Sequence, residues 1–187
     1  MDLKVVAKKA WHFIWHEDSF ASWMVNILLA FIIIKYAVYP GLGAVFGTSH
    51  PIVAVVSGSM EHDGSFEDWW SIHHTFYEDL GITKEEFQTY TFKNGFNTGD
   101  IIILKGTSVE NTKRGDVVVF WSGRSDPIIH RTIKLGDTLQ TKGDHNIASN
   151  SDEMAIEDKQ IIGKAFLRVP YLGWIKILFV NAISIFR

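Results

Sequence analysis

Cysteine is absent from this 187-residue chain. Its absence excludes disulfides, thiolate metal sites and cysteine nucleophiles together, and it leaves the redox character of the compartment unreadable. A basic block is missing too. The 18 Lys and Arg against 21 Asp and Glu give a formal net charge of −3, without the basic face that nucleic acid requires. Metal-site spacing is scarce: His62, His73 and His74 form neither a His-x3-His pair nor a His-Glu-x-x-His pattern, so they read as surface histidines. His12 and His16 stand one helical turn apart without an obvious third ligand, and an interfacial helix face accounts for them. No metal and no organic cofactor is expected.

What the chain has is one long apolar run. From Phe20 to Pro40 it reads FASWMVNILLAFIIIKYAVYP, about 21 residues and roughly 31 Å as a helix, the thickness of a bilayer's hydrocarbon. Asn26 and Lys35 are its strong interruptions. Lys35 lies near enough to the far end to snorkel, and Trp23, Tyr36 and Tyr39 sit where an aromatic belt belongs. The run is too long for the core of a cleaved signal and follows an amphipathic stretch, so a retained anchor over 20–40 is expected. Lys4, Lys8 and Lys9 precede it and keep residues 1–19 cytoplasmic by the positive-inside tendency. In that stretch Leu3, Val5, Val6, Trp11, Phe13, Ile14 and Trp15 fit a helix on the membrane surface, and Asp18 and Ser19 are caps for the next helix.

Tyr39-Pro40-Gly41-Leu42-Gly43 then reads as the end of that helix. With the anchor removed, about 120 to 150 residues remain, enough for one compact domain, which we place at 41–170. Its β-branched and apolar runs predict strands at 52–56, 100–104, 116–121, 128–135, 138–142 and 161–169. Thr98-Gly99-Asp100 and Arg114-Gly115-Asp116 are two similar Gly-Asp turns opening strands, and Leu135-Gly136-Asp137-Thr138 suits a hairpin. Residues 61–98, rich in Trp, Phe, Tyr and acids, read as a small helical insertion, with Thr83-Lys84-Glu85-Glu86 as a helix start. Tyr171 onward is apolar again over about 16 residues, which favours an interfacial or marginal helix over 171–187. The expected fold is therefore mainly β, with an N-terminal transmembrane helix, a helical insertion and a C-terminal apolar helix.

Ser57-Gly58-Ser59-Met60 lies at the end of the first predicted strand. A hydroxyl attacks only when a base takes its proton, and a glycine turn exposes the oxygen while leaving backbone N–H groups for a developing oxyanion. Such tripeptides also fill ordinary loops, so the partners matter. His130, within Pro127-Ile128-Ile129-His130-Arg131-Thr132-Ile133, carries the imidazole suited to accept that proton near neutral pH. An acid on its other nitrogen would fix the tautomer, and Asp126, Asp137, Asp144 and Asp152 are all candidates by spacing.

These residues carry a resemblance to signal peptidase I of the archaeal and endoplasmic-reticulum type. It covers most of the chain: the anchor, Ser57-Gly58-Ser59-Met60, Arg114-Gly115-Asp116-Val117-Val118-Val119-Phe120, the histidine strand, Lys142-Gly143-Asp144, and Gly163-Lys164-Ala165 through Val169-Pro170-Tyr171-Leu172-Gly173-Trp174. The resemblance implies Ser59 as nucleophile, His130 as base where bacterial relatives have lysine, and Ser57 with the Ser59 amide for the oxyanion. The family pattern carries a second aspartate about half a dozen residues after the Gly-Asp box. Here that spacing falls on Asn150, so Asp152 is expected to orient the histidine, with Asp144 second. The rival base within the same reaction is Lys105 or Lys142. From another class, the chain would be a catalytically silent, membrane-anchored peptide-binding or assembly module.

The implied substrates are secretory preproteins cut after small residues at the first and third positions before the bond. An extended peptide adding beside 52–56 would meet Ile52, Val53 and Val55 as pocket walls. Membrane lipid is an expected partner, and the resemblance leaves room for accessory membrane subunits. The expected location is the cell membrane, single-pass or two-pass, with the catalytic domain on the extracytoplasmic face.

Overall fold

A computed structural model describes residues 2–175, 177 and 178. It divides into two units, residues 1–45 and 46–187. In the first, helix α1 (Leu3–His16) is capped by the Asp2 side chain, and helix α2 (Phe20–Ile33) by Ser19. Ser22 Oγ donates to the Phe13 carbonyl at 2.6 Å and Asn26 to the Ile14 carbonyl at 3.0 Å. The Asn26 amide of the apolar run is thus partnered from the preceding helix.

The helix does not stop at Pro40, as expected from its sequence. A wide π turn at Ile34–Val38 follows α2 and leads into α3 (Tyr39–Phe46). Proline cannot donate a helical bond, and its ring collides with the carbonyl one turn back. The π turn resets the ladder just before Pro40, with the Tyr39 amide reaching back five residues to the Ile34 carbonyl, so the chain absorbs the proline without ending. The stop is Gly47, at φ +66°, a left-handed conformation that favours glycine. Phe20–Phe46 is consequently 27 residues long and contains an 18-residue stretch of mean hydropathy 1.9, long and apolar enough to cross a membrane.

The second unit is built on a six-stranded antiparallel sheet of order β1-β2-β6-β3-β4-β5. Its strands are β1 (Ile52–Ala54), β2 (Ile101–Lys105), β3 (Val117–Phe120), β4 (Ile128–Lys134), β5 (Gln140–Lys142) and β6 (Ile161–Val169). The two Gly-Asp turns are the same device. Gly99 and Gly115 sit at φ +90° and +89°, and the following Asp100 and Asp116 carboxylates accept from the amides of Asn97 (2.8 Å) and Lys113 (3.0 Å). Both acids also reach β6, at Arg168 (2.7 Å) and Lys164 (2.8 Å), so each turn aligns its strand against a common neighbour.

Both sheet faces are covered, which is why β3 is buried at every position. On one face Val117 and Val119 join Val55, Met60, Phe96, Ile102 and Leu104 in a core. On the other Val118 and Phe120 meet Ile128, Leu139 and Ile156. The insertion contributes helix α4 (Phe66–Asp79), opened by a Ser65–Asp68 capping box, and the short α5 (Lys84–Gln88), capped by Thr83. Its aromatic cluster of Trp69, Trp70, Tyr77 and Phe87 closes over Ile133 of β4.

The expected C-terminal helix lies largely outside the described residues. Its first turn is tied down: the Gly173 amide donates to the Gly99 carbonyl at 2.8 Å, and the Trp174 indole fills the space a side chain at Gly99 would need.

Candidate active site

Alternation along β4 and β5 fixes the chemistry of this region. Neighbouring strand residues point to opposite faces, so His130 and Arg131 diverge, as do Thr141 and Lys142. The register pairs Arg131 with Lys142 and Thr132 with Thr141. One face therefore carries His130 and Thr141, and the other Arg131 and Lys142.

On the first face the imidazole is oriented by an acid that the sequence reading missed. His130 Nδ1 lies 2.5 Å from Glu153 Oε2. The same oxygen accepts from Thr141 Oγ1 at 3.2 Å. Glu153 Oε1 is held by the Asn150 side-chain amide and by the Asn150 backbone N–H. Glu153 is fully buried. Burial alone would raise its pKa, but the hydrogen bonds from His130 and Asn150, with the nearby imidazole, hold it below the ordinary glutamate value.

Asp152 and Asp144 do not touch the imidazole. Asp152 sits on the outer side of the short 3-10 turn Ser151–Glu153, where Arg124 binds it through both carboxylate oxygens at 2.7 and 2.9 Å. In a single tight turn adjacent side chains diverge, so the turn that directs Glu153 inward directs Asp152 away. Asp144 belongs to the opposite sheet face and binds Arg131 Nε and Nη2 at 2.8 and 2.6 Å. Burial pushes the Asp144 carboxyl up, yet the Arg131 charge and bonds from His62 and Arg131 hold it well below the carboxylate range. His62, expected at the surface, is buried with Nε2 3.0 Å from Asp144 Oδ2.

Ser59 follows Gly58 in a turn closed by the Glu61 amide on the Gly58 carbonyl at 3.0 Å. The turn is pinned from below. Met60 is fully buried, its carbonyl accepts from the Phe96 amide at 2.9 Å, and the Ser59 carbonyl accepts from the His145 amide at 3.0 Å. The hydroxyl is left facing outward, 3.3 Å from Ser57 Oγ. Among the described residues the Ser59 amide makes no hydrogen bond, and neither does His130 Nε2. The direct Ser59–His130 hydrogen bond is not made.

Both groups nevertheless wall one cleft of about 530 Å³. Ala54, Val56, Ser57 and Ser59 form one side. Ile128, Ile129, His130 and the 124–127 loop form the other. Gly143 brings the two sides together: a β-carbon there would lie 2.7 Å from His130 Nε2 and 2.7 Å from the Ser59 carbonyl oxygen. The expected pocket walls need correction. Val55 is in the core and Val53 packs against it, while Ile52 is not among the cleft residues. The period of two along this strand turns Ala54 and Val56, and not Val53 and Val55, toward the cleft.

The lysine alternatives are placed elsewhere. Lys105 ends β2 on the exposed side, opposite Lys164. Lys142 is buried, and its ammonium donates to the carbonyls of Gly143 (3.1 Å) and Asp144 (3.3 Å) beside the Phe76 and Tyr77 rings. Burial pulls it down to about 8, but it lies on the sheet face opposite His130. Among the described residues no group of three or more His, Asp or Glu could hold a metal ion.

No family model matches the chain. Similar proteins were found by direct comparison. The signal peptidase complex catalytic subunit sec11 of Sclerotinia sclerotiorum is 29% identical over 155 residues, covering 76% of this chain and 72% of that protein. The SEC11 subunit of Fusarium vanettenii is 28% identical with the same coverage. Human SEC11C is 28% identical over 153 residues, 75% of this chain and 63% of its own length.

Proposed function

We propose that the chain is a membrane-bound serine endopeptidase of the signal peptidase I type found in archaea and the endoplasmic reticulum, removing signal peptides from secretory preproteins, a reading supported by its similarity to signal peptidase complex catalytic subunits. Ser59 is the nucleophile, His130 the base and Glu153 the acid that orients it. The observation that carries this reading is the shared cleft of Ser59 and His130, with the buried Glu153 carboxylate on the far imidazole nitrogen. With Nδ1–H donated to Glu153, Nε2 keeps its lone pair for the Ser59 proton. Catalytic contacts often tighten only around bound substrate, which fits the open Ser59–His130 approach.

The reaction proceeds by transfer of the Ser59 proton to His130 Nε2 as Oγ attacks the scissile carbonyl. The Ser57 hydroxyl and the Ser59 amide stabilise the oxyanion. The imidazolium then protonates the leaving amine, which departs as the mature protein, and water hydrolyses the Ser59 ester in the reverse sense. An extended preprotein segment adds along β1, an edge strand, with Ala54 and Val56 limiting side-chain size. The chain acts from the membrane through Phe20–Phe46, with its catalytic unit on the extracytoplasmic face, and accessory membrane subunits are partners by analogy with the complexes for which its relatives are named.

The decisive experiment is preprotein cleavage by the full chain in lipid vesicles, comparing wild type with Ser59→Ala and His130→Ala. Both substitutions are expected to abolish processing. Cleavage retained in Ser59→Ala would reject the nucleophile, and retained activity in His130→Ala with loss in Lys142→Ala would favour the lysine base.

A further inference from the structure

The helical insertion is not needed to supply any group to the cleft, yet its side chains converge on one residue beside it. Asp144 receives His62 Nε2 (3.0 Å) and Tyr77 Oη (3.3 Å) on its carboxylate and Trp69 Nε1 (3.0 Å) on its carbonyl. The insertion's main chain also holds the partner of that carboxylate, since the Thr91 and Phe92 carbonyls accept from Arg131 at 3.3 and 2.8 Å. Phe92 adopts φ +59°, a conformation that disfavours non-glycine residues and that directs its carbonyl at Arg131.

Asp144 stands between two residues that support both halves of the site. Gly143 lies against His130 Nε2 and the Ser59 carbonyl, and the His145 amide binds that same carbonyl. His62 completes the loop from the other side. It lies three residues after Ser59, stacks on Trp69 with ring centroids 4.0 Å apart and planes within 5°, and is closed in by Gly95, where a β-carbon would fall 2.7 Å from its ring. The ring therefore connects the nucleophile's turn directly to the segment beneath the base.

Resting on the peptidase reading above, we propose that His62, braced by Trp69, is a positioning residue for the reaction. It holds the 143–145 backbone so that Ser59 and His130 keep a common register across the cleft. The insertion is thereby an internal buttress of the active site, acting through Asp144 without touching substrate.

The test uses the full-length protein in vesicles with a preprotein substrate. His62→Phe keeps the stack on Trp69 and removes the donor to Asp144. Its kcat is expected to fall about 20-fold or more with KM changed less than about twofold, as for a displaced catalytic pair. His62→Gln, whose amide reaches the position of Nε2, is expected to recover kcat to within about threefold. A second readout does not need turnover: in a Ser59→Ala background, the 15N resonances of the His130 ring are expected to move in His62→Phe and to return in His62→Gln. Should His62→Phe not fold, Trp69→Phe, which removes the indole donor to the Asp144 carbonyl and narrows the ring that His62 stacks on, takes its place in both measurements. Wild-type kcat in the folded variant, or a loss of kcat with unmoved His130 resonances, would overturn the proposal. Cleavage surviving in Ser59→Ala alone would instead reject Ser59 as the nucleophile on which this reading rests, leaving the His130 resonances to decide the positioning role.

Discussion

Replacing Glu153 by glutamine tests the acid with almost no change of shape. In the wild-type protein one carboxylate oxygen faces two donors from Asn150, and the other faces His130 Nδ1 and the Thr141 hydroxyl. A glutamine must turn its NH2 toward one of these sets. Facing Asn150, donor meets donor in a buried site, at a penalty of about 1–3 kcal/mol. Facing His130, the amide donates to Nδ1 and leaves the ring proton on Nε2, the nitrogen that must accept from Ser59. In either orientation the imidazolium formed during attack has lost its counter-charge. Two unit charges about 4 Å apart at an effective dielectric of about 20 attract by about 4 kcal/mol, which is close to a thousandfold in kcat. The assay is single-turnover preprotein cleavage by the purified full chain, run beside Asp152→Asn. Asp152 binds the exposed Arg124 and not the imidazole, so its variant is expected to stay within about fivefold of wild type. Activity of Glu153→Gln within about threefold of wild type, together with an inert Asp152→Asn, would refute the assignment and restore the aspartate.

Two further outcomes follow from the same geometry. Gly143→Ala places a methyl group against His130 Nε2 and the Ser59 carbonyl; kcat is expected to fall by about 100-fold with little change in KM, and a near-normal kcat would mean that these groups do not meet at Gly143. Asp144→Asn uncouples the buried Arg131 and is expected to destabilise the unit by about 3–5 kcal/mol at neutral pH, read by denaturant unfolding. Because the folded Asp144 pKa is depressed, its contribution is present above the unfolded value of about 3.9 and is lost as pH falls through the folded value. Wild-type stability should therefore decline across that acid window more steeply than that of the Asn variant, and parallel curves would contradict it.

Much of the scaffold was legible in the sequence because the relevant signals are local. The β-branched runs, the Gly-Asp turns and the Thr83 cap each act within a few residues, and the six strands fall close to their expected positions. The helix end did not, since a π turn at 34–38 has no sequence mark as plain as Pro40. The cleft walls were misread by one residue: the run Ile52–Val56 is apolar throughout, so periodicity could not say which face was core. His62 looked like a surface residue because its partner lies 82 positions away.

The missed acid shows why spacing alone fails at such a site. Counting from the Gly-Asp box led past Asn150 to Asp152, the first available carboxylate of the expected type. A 3-10 turn at Ser151–Glu153 sends consecutive side chains in different directions, and here only the third faces the sheet. The signal that could have found it was Asn150 with Glu153, an Asn-x-x-Glu pairing of the capping-box kind, in which the asparagine amide and the glutamate carboxylate fix one another. By the resemblance the family's acid would fall at Asn150, and the Asn150 amide here binds the Glu153 carboxylate instead. An aspartate at 150 with Glu153 retained would therefore set two carboxylates against one imidazole, where like charges oppose each other's ionisation.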